Sequence, residues 1–170
     1  LLKESQPLYI WMEYAAGKDH IYLNQDHLGV EARVDGVSYE TLAQALEAAG
    51  SSEGDKTVTL LKDVAIDSME QEASRTAGGV LALPAGVALD GQGYTVSYAG
   101  EDEIDSFFAV DGADNIIRNT CFAAGEKAQH VLTFHEAENA RLEGVTIQGG
   151  QTAAILVNGA SLTLENSTLQ

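Results

Sequence analysis

The chain has 170 residues, 45% of them hydrophobic, enough to bury a core and too many for general disorder. Acidic residues outnumber basic ones 26 to 9, and the net charge of −17 excludes nucleic acid and anionic membrane surfaces as partners. This balance fits a soluble, self-repelling protein in an extracellular setting, with calcium or neutral sugars as conceivable ligands.

No apolar run approaches the ~18 residues of a membrane helix, so no membrane insertion is expected. The single cysteine, Cys121, rules out an internal disulfide framework and a Cys-based metal cluster. The start, Leu1-Leu2-Lys3-Glu4, carries no signal-peptide pattern and reads as the cut edge of a mature or shortened chain.

Residues 8–14 alternate in hydrophobicity and predict a strand; Ala16-Gly17-Lys18-Asp19 is a turn, and Ile21-Tyr22-Leu23 is the returning strand. Val30–Val34 is a third short strand. Asp35-Gly36 after it supplies a two-residue hairpin turn. A helix is expected over roughly 39–49, with Ser38 as its N-cap, Glu40 in its first turn and Gly50 as its stop. Leu42, Ala45, Leu46 and Ala49 fall on one apolar stripe of that helix. Residues 57–61 and 63–66 read as strands and 67–79 as a polar loop, and no helical stripe follows Val80. These boundaries suggest a small β segment over 1–36, a capping helix and turn over 37–56, and a repetitive region over 57–170.

Three stretches in the second half superpose: Phe108-Ala109-Val110-Asp111-Gly112-Ala113, Leu132-Thr133-Phe134-His135-Glu136-Ala137 and Ile155-Leu156-Val157-Asn158-Gly159-Ala160. Downstream, Ile117 and Phe122 match Leu142 and Ile147, then Leu164 and Leu169; Leu81 to Leu83, Leu89 and Val96 form a looser earlier copy. Val110 and Phe134 are 24 residues apart, Phe134 and Val157 are 23, and Leu142 and Leu164 are 22. A period in the low twenties with three short strands per copy and no helix marks a solenoid. The Leu-x-x-Leu-x-Leu-x-x-Asn run of leucine-rich repeats is absent, which leaves a parallel β-helix of about four to five coils, stacked at the ~4.8 Å spacing of bonded strands. Equivalent apolar residues then form inner columns: Phe108/Leu132/Ile155, Val110/Phe134/Val157, Ile117/Leu142/Leu164 and Phe122/Ile147/Leu169. Asn115, Asn119, Asn139, Asn158 and Asn166 suit the corners, where Asn tolerates left-handed φ and bonds neighbouring coils. Gly144 interrupts the Asn119/Asn166 ladder. Arg118 is placed to offset Glu143 on the outer surface.

Val37 to Leu46, Thr57 to Val64 and Leu83-Pro84-Ala85-Gly86-Val87-Ala88-Leu89-Asp90-Gly91-Gln92-Gly93-Tyr94-Thr95-Val96 together resemble the opening of right-handed β-helix proteins of the pectate-lyase-like superfamily. The resemblance covers roughly 30–170, and its closest kin are secreted or cell-surface proteins of Gram-positive and gut bacteria. It implies a mostly β, right-handed solenoid whose N-terminal helix covers the exposed core and strand edges of the first coil. No cap is evident after the Leu164–Leu169 strand. The chain therefore reads as the N-terminal part of a longer solenoid, or as one whose last coil is covered by a second copy, with end-to-end self-association.

The resemblance is weak on function, because the superfamily holds lyases, glycosidases, adhesins and inert stalks. A non-catalytic structural, adhesive or carbohydrate-binding module is expected, with polysaccharide or a host or cell-surface glycan as partner. The rival is an N-terminal fragment of a polysaccharide lyase or glycoside hydrolase acting on acidic polysaccharide. Its candidate catalytic residues are Asp111, Asp114 and Arg118, although the metal-binding and Arg motifs of pectate lyases and the Asp-pair pattern of polygalacturonases are unmatched, and both Asp residues read better as turn formers. Glu101, Asp102, Glu103 and Asp105 are candidate calcium ligands, against the reading of a solvated insertion, and their spacing fits no EF-hand. No other cofactor is implied. Tyr9, Trp11 and Tyr22 are candidates for stacking on sugar rings, against the reading of a small β core. His20, His27, His130 and His135 lack zinc-site spacing, and His135 is expected to point outward.

Overall fold

The computed structural model describes residues 29–67 and 79–170 in full and the backbone of 10–15 and 18–23. The predicted strand pair at the N-terminus is present as a hairpin, β1 (Ile10–Ala15) and β2 (Lys18–Leu23), with antiparallel pairing from Ile10–Leu23 to Ala15–Lys18. The loop expected over 67–79 lies almost wholly outside the described residues.

Asp35 (φ 47°) and Gly36 (φ 79°) both take the left-handed conformation that a tight two-residue hairpin requires. They join β3 (Ala32–Val34) to β4 (Val37–Tyr39), which was not expected as a strand. Because the turn pairs Val34 with Val37, it carries Ser38 and Tyr39 along as strand residues opposite Arg33 and Ala32. Ser38 is therefore fully buried in a sheet rather than capping a helix.

The helix α1 (Leu42–Ser51) starts three residues later than expected. Its N-cap is Thr41, whose Oγ1 accepts the Gln44 N–H at 3.3 Å. Glu40 precedes the helix, and the first turn holds no acidic residue. A second cap comes from Glu31, whose Oε2 accepts the Leu42 N–H at 2.8 Å. Gly50, expected as the stop, lies inside the helix. A Cβ there would sit 2.9 Å from the Pro84 ring, so its role is close packing of the helix on the coil rather than termination. The stripe Leu42, Ala45, Leu46 and Ala49 is fully buried, and α1 packs against β3, β5 (Thr57–Leu60) and β7 (Gly79–Leu83).

Beyond the helix the chain winds as a parallel β-solenoid of about four turns. After β5 and β6 (Val64–Ile66), each coil contributes one strand to each of three sheets. The first coil is β7, β8 (Ala88–Asp90) and β9 (Thr95–Tyr98). The second is β10 (Ile104–Asp111), β11 (Ile116–Arg118) and β12 (Cys121–Gly125). The third is β13 (Ala128–His135), β14 (Ala140–Glu143) and β15 (Thr146–Gly149). The fourth is β16 (Ala153–Asn158), β17 (Leu162–Glu165) and β18 (Thr168–Leu169).

The register is the one the repeat predicts. Phe108 pairs with Leu81 and Leu132, and Leu132 with Ile155; Val110, Phe134 and Val157 share a second column. Leu89, Ile117, Leu142 and Leu164 form a third, and Val96, Phe122, Ile147 and Leu169 a fourth. Phe108 and Phe122 meet across the interior with ring centroids 5.0 Å apart. Val58 and Val64 extend the third and fourth columns one step toward the helix. The four-stranded sheet (β7, β10, β13, β16) and the five-stranded sheet (β6, β9, β12, β15, β18) are parallel throughout. In the nine-stranded sheet, β3 joins β5 antiparallel, and β4, β1 and β2 continue beyond it.

Candidate functional site

Over Phe108–Asp111 and Leu132–His135 of the four-stranded sheet, inward and outward residues alternate; ahead of them the alternation breaks, since Phe107 and Val131 are fully buried while Ser106 and His130 line the outer groove. Inward Leu132 and Phe134 flank outward Thr133, and His135 follows it outward, as expected from the sequence. A groove of about 380 Å³ opens on this outer face. Asp105 and Ser106 of β10 line it, with Gln129, His130, Thr133 and His135 of β13 and Leu156 and Asn158 of β16.

Its polar groups fall into two kinds. At the rim, Gln129 is engaged by neighbours: Thr152 Oγ1 bonds its Oε1 at 2.6 Å, and its amide donates to Gln151. His130 Nδ1 lies 3.2 Å from the Asp105 carbonyl. Within the groove wall, Ser106 Oγ and Thr133 Oγ1 are shut away from solvent and have no hydrogen-bond partner. An unpartnered buried hydroxyl costs about 1–3 kcal/mol, so two in one groove call for a reason. The third such atom among the described residues, Asn115 Oδ1, does not line the groove; its amide donates to the carbonyls of Pro84 (2.6 Å) and Val87 (3.3 Å) and ties two coils together.

The sequence candidates fall in separate places. Asp111 ends the same outer face, in register with His135 and, through it, Asn158. Asp114 (φ 62°) sits in the following turn, where its Oδ1 accepts from Asn139 Nδ2 at 3.1 Å. It borders a second, shallow groove of about 320 Å³ with Ile116, Asn139, Arg141 and Thr163. Arg118 is on the outer face of the nine-stranded sheet. It pairs with Asp90 (Nε to Oδ2, 2.9 Å) rather than with its register neighbour Glu143. Burial pushes the Asp90 carboxyl up, but the Gln92 N–H, Asn119 and the Arg118 guanidinium outweigh it and hold the carboxyl below its usual range.

In the acidic loop, the Glu101 carbonyl accepts from Lys127 Nζ at 2.9 Å and the Asp102 carbonyl from Tyr98 Oη at 3.0 Å. Glu103 follows in the same loop, and Asp105 leads into the groove. Among the described residues, no three His, Cys, Asp or Glu side chains converge on a metal position. Trp11 and Tyr22 are register partners across the β1–β2 hairpin, and Tyr9 lies outside the described residues. Cys121 is half-buried, and burial raises its thiol pKa, with only a Thr95 hydrogen bond opposing.

The sequence marks Thr133 only as part of a repeat and Asn158 only as a corner residue, and it gives no sign of Ser106 or Gln129. Only Thr133, a hydroxyl between two core residues in an outward column that otherwise reads Ala82, Ala109, Leu156, offers a hint of the groove. Comparison with family models, curated proteins and solved structures gives no match.

Proposed function

We propose that this chain is a non-catalytic solenoid module of the pectate-lyase-like type, from a bacterial secreted or cell-surface protein, that binds carbohydrate through the groove on its four-stranded sheet. The observation that carries this reading is a groove whose exposed polar side chains, His135 and Asn158, stand beside the partly exposed Leu156. Sugar hydroxyls both donate and accept, so they suit the exposed Asn158 amide and His135 imidazole. Leu156 adds an apolar contact for a ring face, since it is 38% exposed. No Lys or Arg lines the groove, and the chain carries −17, which supports a neutral glycan over a uronic-acid polymer. Asp105 is its one carboxylate, whereas glycoside hydrolysis ordinarily uses two.

A second reading, a fragment of a polysaccharide lyase or hydrolase, is favoured by one feature: Asp111 and His135 are neighbours on the outer face, a carboxylate beside an imidazole.

Asn158→Ala tests the first reading, because it removes an exposed amide from the groove. Calorimetry with neutral oligosaccharides selected on a glycan array should show about tenfold weaker binding, while urea denaturation stays within about 0.5 kcal/mol of the parent chain. Absence of binding by the parent chain, or equal binding by the variant, would defeat the glycan reading. Unsaturated products from polygalacturonate with calcium would instead establish the second.

A further inference from the structure

Away from the groove on the four-stranded sheet, two corners and one strand column bring charged side chains together. Ile116, Arg141 and Thr163 are register neighbours on the outer face of the nine-stranded sheet, since the residues after them, Ile117, Leu142 and Leu164, form an inner column. Asp114 and Asn139 each stand two residues ahead of that column, both in the left-handed conformation (φ 62° and 58°). Backbone bonds between coils fix these turns: the Asp114 N–H donates to the Glu138 carbonyl at 2.8 Å and the Arg141 N–H to the Asn115 carbonyl at 2.9 Å. The five side chains line the shallow groove of about 320 Å³, at the small end of the roughly 300–1,000 Å³ of ligand pockets.

The groove holds opposite charges that do not pair. Asp114 accepts from Asn139 Nδ2 through Oδ1, at 3.1 Å, and no described residue bonds its other carboxylate oxygen. Among the described residues the Arg141 guanidinium makes neither an ion pair nor a hydrogen bond, whereas Arg118 in the same sheet is bonded to Asp90. Both Asp114 and Arg141 are exposed. We infer that this groove is a binding site for a free α-amino acid, whose carboxylate meets Arg141, whose ammonium meets Asp114 and whose apolar side chain lies on the half-buried Ile116. A guanidinium offers a planar fork of donors that matches a carboxylate. A ligand bearing a carboxylate alone would also meet Asp114, with Glu138 and Glu143 close by in sequence, in a chain of net charge −17. A ligand bearing a cation alone would meet Arg141. A zwitterion satisfies both poles and, having no net charge, is not repelled by the chain. The two poles belong to successive coils, a step of ~4.8 Å, which suits charges carried on one carbon. None of these five residues lines the groove of the four-stranded sheet, so this site and the glycan reading stand or fall separately.

NMR titration of the isotope-labelled 170-residue chain with L-leucine should shift the amides of Asp114, Ile116, Asn139 and Arg141, with a dissociation constant of about 1 mM. N-acetyl-L-leucine lacks the ammonium and L-leucine methyl ester lacks the carboxylate; each should bind at least fivefold more weakly. Arg141→Gln should weaken leucine binding at least fivefold and bring it level with the ester. Asp114→Asn, which keeps a residue suited to the left-handed turn, should bring leucine level with its N-acetyl derivative. Circular dichroism should be unchanged in both variants, because both side chains are exposed. The absence of localised shifts up to tens of millimolar leucine would overturn the inference. So would N-acetyl-leucine binding as tightly as leucine, or leucine binding indifferent to both substitutions.

Discussion

Single side chains in this solenoid act mostly by reaching one coil up or down, and Asp90 shows it best. Its side chain is 11% exposed and bonds Arg118 in the next coil, Asn119 at the corner and the Gln92 N–H in its own turn. Because its carboxyl is held below the usual value, folded Asp90 stays charged to lower pH than unfolded Asp90. The stability it adds is complete above the unfolded pKa of about 3.9 and fades as pH falls through the lower folded value. Glu31 has the opposite sign. Burial raises its pKa despite the Leu42 N–H and the nearby Lys62, so its share favours folding at low pH and is lost as pH rises through the raised value. Asp90→Asn should cost about 1–2 kcal/mol at pH 7 and flatten the acid limb of a urea-derived stability profile. An unchanged acid limb would show that Asp90 is not the group responsible.

Corners are the next level of organisation, because the same backbone turn recurs in every coil. Asn119 (φ 51°), Gly144 (φ 63°) and Asn166 (φ 50°) stack at one corner in the left-handed conformation. Asn tolerates this conformation better than other residues with a Cβ. At Gly144 an added Cβ would meet only Asn119 Oδ1, at the ordinary contact distance of 3.5 Å. Gly144→Asn should therefore complete the ladder and raise stability by about 0.5 kcal/mol, combining a new inter-coil hydrogen bond with a less flexible unfolded chain. A lower melting temperature in calorimetry would mean that the strain of a side chain at this left-handed φ outweighs the new hydrogen bond. The contrast is Gly149, where a Cβ would lie 2.7 Å from the Gly125 backbone nitrogen and no side chain fits.

The molecule as a stack is held by one continuous core that runs from Ala32 through the third coil to Ile147. Coils touch only their neighbours, so stability should be graded along the axis rather than uniform. Phe134, 1% exposed in the third coil, supports the coil after it. Phe134→Ala should lose about 3–5 kcal/mol, with amide protection falling first in β16–β18 and last around α1 and β5. Equal loss everywhere would show a single cooperative unit instead. Phe134→Asp is more severe, placing an unpaired charge in the column.

How much of this was readable in advance follows from the range of each interaction. The repeat spacing of Val110, Phe134 and Val157 sufficed for the parallel stack, its register and its inner columns, because a period repeated in the chain is a period repeated in space. The stripe Leu42, Ala45, Leu46, Ala49 likewise announced a helix with one face to bury. Ser38 misled, since local capping preference lost to the hairpin pairing that Asp35-Gly36 imposes on Ser38 and Tyr39. Gly50 misled because its neighbour, Pro84, is distant in sequence. The groove was invisible for the same reason: Ser106, Thr133 and Asn158 come from three successive coils, and nothing local says that two hydroxyls are left unpartnered. Arg118 chose Asp90 over Glu143, two carboxylates one coil away on opposite sides, and only side-chain packing distinguishes them. Periodic burial is encoded along the chain itself; partner choice among equally spaced groups is settled by packing between coils.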